Sequence, residues 1–142
     1  MTPASITRLV VTGPDALVRR DRTATRVALL TGVVFVGAGL VKFAFHHWEL
    51  HAFRSFGLPW PSALELLAGF LETFGGVLLT LRRCVMPVAA LLAITMAVAI
   101  GSSGIGHGDV IPSLTLAPAL LVAMLYLLWV AWTSMTPGRR PV

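Results

Sequence analysis

Four apolar runs, each about as long as a bilayer is thick, divide this chain: Val27 to Phe45, Ser62 to Leu81, Cys84 to Ile100 and Ser113 to Thr133. A helix needs about 20 apolar residues to cross the hydrocarbon core. Only helices and closed barrels satisfy their backbone hydrogen bonds there. The expected fold is therefore all-α: one four-helix transmembrane bundle in which short links make sequential helices antiparallel neighbours. Composition agrees, because 56% of the 142 residues are hydrophobic and only 12% charged, about half the charged share of a soluble domain. The net charge of +5 does not point to nucleic acid, since the arginines are scattered among links and tails.

That scatter sets an expected topology. Arg8, Arg19, Arg20, Arg22, Arg26, Arg82, Arg83, Arg139 and Arg140 lie in the N-terminal tail, the second link and the C-terminal tail, whereas the first and third links hold only Arg54. The positive-inside rule then predicts both termini in the cytoplasm. The chain divides into a basic cytoplasmic segment, residues 1–26, and a transmembrane domain, 27–142. The first run is preceded by a long leading region, and "KFAFHHW" has no small-residue cleavage site, so an uncleaved signal-anchor is expected. In the link His46 to Pro61, Trp48, Ala52 and Phe56 at i, i+4 and i+8 predict a short interfacial helix between the first two spans. Gly57, Pro59 and Pro61 would end it. Pro87 falls in the first turn of the third span, where proline is tolerated. Pro118 either kinks the fourth span or marks its true start. Tyr126, Trp129 and Trp132 suit an aromatic belt at the far end of that span. Cys84, the single cysteine, excludes an intramolecular disulfide or a dithiol redox centre within the chain.

Three ionisable residues interrupt the spans: Lys42 in the first, Glu65 and Glu72 in the second. A charge at the centre of a membrane helix costs about 2.5–3.5 kcal/mol even on lenient insertion scales, so such residues face protein or water and find partners. Glu65, Gly69, Glu72 and Gly76 recur at i, i+4, i+7 and i+11, along one stripe of the helix, which Gly75 widens. Small residues let membrane helices approach closely, so this stripe and the Gly39 region of the first span are expected packing faces. At 1.5 Å per residue, Lys42 lies roughly 22 Å above Val27, with Glu72 near 15 Å and Glu65 near 25 Å. Helical side chains lean toward their own N-terminus, so Lys42 and Glu72 lean toward each other and are expected to pair. Glu65 leans toward the outer interface, within reach of water, as an outer gate. A ligand or proton role for this group stands beside two plainer readings: a structural pair fixing helix register, and a lysine that snorkels alone.

Outside the first span, His46, His47, Glu49 and His51 cluster, and His107 with Asp109 occupies the other outer link. His47 and His51 at i, i+4 could hold a metal on a helix. No third fixed ligand accompanies them, and histidine beside Trp48 is common at bilayer surfaces, so no metal is expected. Cys84 beside Arg83 reads as a buried, inert thiol rather than a reactive one.

The order of features resembles the DoxX family of small four-helix bacterial membrane proteins. The matching stretches are "GVVFVGAGLVKF" (Gly32 to Phe43), "FRSFGLPWP" (Phe53 to Pro61) and "LAGFLETFGGVLL" (Leu67 to Leu79), followed by an arginine pair and a third span. Lys42, Glu72, Gly75 and Gly76 match the family pattern of a lysine late in the first span and a glutamate before a glycine pair in the second. "HHWELH" and the long arginine-rich N-terminal tail lie outside the pattern. The resemblance implies a multi-pass protein of the bacterial plasma membrane. It also implies links to the membrane subunit of a thiosulfate:quinone oxidoreductase, or to a mycobacterial oxidoreductase complex with superoxide dismutase and a sulfurtransferase.

The leading expectation is a component of a quinone-linked redox or oxidative and thiol-stress system, with the Lys42–Glu72 region binding a quinone head group or relaying its proton. Electrons would come from a partner, because the chain has no cysteine pair or nucleotide motif. The alternatives are a non-catalytic anchor that recruits soluble redox or stress enzymes through the basic segment, and a small-solute or lipid transporter, which would need a homo-oligomer to make a path.

Overall fold

The computed structural model describes residues 13–55, 57, 59–105, 114–133 and 135. Along them run α1 (13–20), α2 (Arg22–Ala44), α3 (His46–Ser55), α4 (Pro61–Thr80), α5 (Val85–Ala99) with a π-helical continuation over Ile100–Ile105, and α6 (Leu116–Thr133). No strand occurs among the described residues. Four of these segments, Arg22–Ala44, Pro61–Thr80, Val85–Ser102 and Leu116–Thr133, are long and apolar enough to cross a membrane. The chain is a multi-pass membrane protein.

The helix ends follow local chemistry. Asp21 caps α2, its carboxylate accepting from the amides of Thr23 at 2.7 Å and Ala24 at 3.1 Å. The helix therefore starts at Arg22, five residues before the apolar run. Pro61 occupies the first turn of α4, where its missing N–H costs nothing. α4 ends in a Schellman turn: the Arg83 amide donates to Leu78 O and the Arg82 amide to Leu79 O, both at 2.9 Å, with Arg82 left-handed at φ 52°. Pro118 is the third residue of α6, so it marks that helix's start and introduces no kink. α3 forms as expected from the link between the first two spans, although Phe56, one of its three marker residues, lies outside the described residues.

Contacts between α2 and α4, α4 and α5, α5 and α6, and α6 and α2 close a ring of four helices. Phe35, Leu79, Leu92, Met124 and Leu127 fill its centre. The outer surface is apolar too, with Leu30, Val33, Phe74, Ile94 and Val122 exposed, as a bilayer-facing surface requires. Span hydroxyls bond back to their own helix: Thr31 to Val27 O at 2.7 Å and Thr80 to Gly76 O at 2.9 Å.

α1 falls within the stretch expected as a basic tail, and it is packed against the bundle. Pro14 and Val18 are fully buried. The Asp15 carboxylate accepts from the amides of Cys84 and Val85, each at 2.9 Å, capping α5 from across the chain. The Arg19 guanidinium donates to Arg82 O at 3.3 Å.

Candidate functional site

α2 and α4 meet backbone to backbone at two places one heptad apart. A Cβ added to Gly32 would lie 2.8 Å from Gly76 O, and one added to Gly39 would lie 2.8 Å from Gly69 O. This antiparallel register needs glycine on both helices. Gly69 and Gly76 face α2, with the Phe43 ring lying over Gly69. Gly75 faces the other way, where a Cβ would come within 3.1 Å of the Leu92 side chain on α5. The expected packing stripe is thus two surfaces serving two neighbours. Gly32, which sequence reasoning did not single out for packing, completes the crossing. Its signal was the matched seven-residue spacing, Gly32 to Gly39 and Gly69 to Gly76.

The register fixes the polar group. Glu72 lies one helical turn from both Gly69 and Gly76, and Lys42 lies one turn beyond Gly39. Lys42 Nζ and Glu72 Oε2 are 3.2 Å apart, with side chains 18% and 5% exposed. Two side chains leaning toward their own N-termini from antiparallel helices meet between their Cα levels. Thr73, the next residue along, turns its hydroxyl toward Gly39. Its Oγ1 is buried without a hydrogen-bond partner among the described residues.

Glu65 departs from its expected setting. It is 1% exposed, more enclosed than Lys42, rather than open to water at an outer interface. The reason is the stripe itself: Glu65 shares the inward side of α4 with Glu72 and Gly76, and α3 folds back onto α4. The result is two carboxylates and one ammonium held inside one half of an otherwise apolar bundle. Chemically, the group offers a cationic donor and a carboxylate acceptor in contact, with a second carboxylate about two turns away along α4.

His47 and His51 are exposed on α3. Among the described residues no three His, Cys, Asp or Glu side chains gather as a metal site would require. His107 and Asp109 lie outside the described residues. Cys84 is half-buried and left-handed at φ 51°, preceding α5 without capping it through its own side chain.

No curated protein and no solved structure matches the chain. The DoxX family model matches residues 24–108, more than half of its length. That span takes in both glycine contacts and the Lys42–Glu72 pair, and this four-span membrane protein belongs to the DoxX family.

Proposed function

We propose that the protein is the membrane component of a quinone-linked redox system in the bacterial plasma membrane, with Lys42 and Glu72 forming the place where a quinone head group is held or its proton exchanged. The observation that carries this reading is the 3.2 Å ion pair within a half-buried to buried setting. Charged groups in a bundle core are costly, and they recur where membrane proteins handle ions, protons or polar ligands. A quinone carbonyl would accept a hydrogen bond from the Lys42 ammonium, and a carboxylate beside it would take up or release the proton that accompanies quinone reduction. Glu65, enclosed on the same side of α4, serves as the gate between this pair and the bundle end. Electrons enter from a soluble redox partner.

The test is quinone binding to purified protein in nanodiscs, wild type against Glu72→Gln. Saturable binding weakened by the substitution supports a quinone site at the pair. Absence of saturable binding in both forms sinks it.

A second reading, an anchor for soluble redox or stress enzymes, has its own support in α1, a docked helix that leaves Arg19 and Arg20 exposed. Deleting residues 1–20 would also remove the Asp15 cap of α5. Arg19→Gln/Arg20→Gln is the cleaner variant: recruitment of a soluble partner falls under the anchor reading, while quinone binding is unchanged.

A further inference from the structure

On the bilayer-facing side of the Gly32–Gly76 crossing, Val33, Val36, Val77, Thr80 and Leu81 line a cleft of about 290 Å³. Apart from the Thr80 hydroxyl, which is turned back to Gly76 O, its walls are hydrocarbon. The close backbone approach creates it, because glycines at the contact leave the flanking valines as walls with a gap between them. Arg26 and Arg22 precede Val33 by seven and eleven residues, so all three lie on one stripe of α2. Both arginines are exposed. They stand below the cleft by roughly 10 and 16 Å of helix rise.

The two acids at this end of the described chain accept hydrogen bonds from backbone amides. Asp15 is buried with both oxygens on the amides of Cys84 and Val85, and Asp21 caps α2. Neither Arg22 nor Arg26 has an ion-pair partner among the described residues. Exposed Arg19, Arg20 and Arg83 lie at the same end of the bundle. The face therefore combines a hydrocarbon slot with two exposed guanidiniums beneath it that form no ion pair among the described residues, at the spacing of an acyl chain attached to a phosphate.

We propose that this α2–α4 face seats an anionic glycerophospholipid, one acyl chain in the Val33–Val77 cleft and the headgroup phosphate on Arg22 and Arg26. Arginine suits phosphate through its planar donor fork. Basic residues at a membrane surface each contribute to retention of anionic lipid. A soluble polyanion would use the arginines and have no need of the cleft, which is why a lipid is favoured.

The experiment is native mass spectrometry of the full chain released from bilayers of equal parts phosphatidylcholine and phosphatidylglycerol. The expected result is retained phosphatidylglycerol in excess over phosphatidylcholine. Arg22→Gln/Arg26→Gln should reduce that excess roughly tenfold or more, and Val77→Trp, which fills the cleft from its lipid-facing wall, should reduce it as well. Equal retention of the two lipids overturns the proposal, as does an excess untouched by the arginine pair. Loss with the arginine pair but not with Val77→Trp also overturns it, leaving a diffuse basic surface open to any polyanion. Retained thermal stability of each variant shows that the readout concerns binding and not folding.

Discussion

Gly76 stands so close to α2 that a side-chain carbon there would lie 2.6 Å from the carbonyl oxygen of Gly32. Backbone atoms cannot yield as a flexible side chain does, so the helices must part to admit it. Gly76→Val should lower the thermal midpoint in detergent and loosen the Lys42–Glu72 contact, at a cost of about 3 kcal/mol or more, beyond ordinary overpacking. Gly37→Ala is the control. Nothing lies within 4 Å of that position, and alanine in a helix interior is favoured over glycine by about 0.5–1 kcal/mol. Differential scanning fluorimetry on both variants checks the contrast.

The ion pair makes a second prediction. Lys42→Met alone leaves the Glu72 carboxylate buried without its cation, and Glu72→Leu alone strands the ammonium. Each should destabilise by about 3–5 kcal/mol, whereas the double variant should recover most of that loss. The double-mutant cycle measures the coupling. If the double variant also loses quinone binding while regaining stability, the pair has a role beyond holding α2 to α4.

Removing the α5 cap tests the docking of α1. Asp15→Ala strips both acceptors from the Cys84 and Val85 amides and should cost about 1–2 kcal/mol. Asp15→Asn, which keeps one acceptor oxygen, should cost less. Faster amide hydrogen exchange at the start of α5, with α6 unaffected, is the expected local readout.

An even number of crossings would leave residues 13 and 135 on one side of the bilayer, and the arginine distribution predicts that this side is cytoplasmic. A green fluorescent protein fused at the C-terminus should fluoresce, and an alkaline phosphatase fusion there should be inactive. A phosphatase fusion after Gly57 should be active.

Apolar length made the four spans legible, because the hydrocarbon core admits few alternatives. Lys42 and Glu72 could be brought together on paper because their helices run oppositely and their side chains lean predictably. Glu65 could not be placed the same way. Its depth follows from helix rise, but its enclosure depends on how α3 and α4 fold together, which periodicity does not encode. Gly75 and Gly76 stand side by side in the sequence, and no local signal tells which neighbour each meets. α1 is not legible because eight residues containing two arginines and one aspartate look like a solvated tail. The local cue was Pro14 followed by Asp15, a pairing common in a first helical turn. That Asp15 would serve a different helix, some 70 positions on, is a tertiary fact.

That long reach has a consequence for how the protein is made. The two amide partners of Asp15 leave the ribosome 69 and 70 residues after it. At synthesis rates of about 5–20 residues per second, the delay is roughly 3 to 14 seconds. Through that interval the first two spans can insert and cross, while the fastening between chain start and third span stays open. Closure at this end of the bundle is thus a late event, and a chain that stalls before Arg82 leaves the Asp15 carboxylate without either amide and Arg19 without its carbonyl.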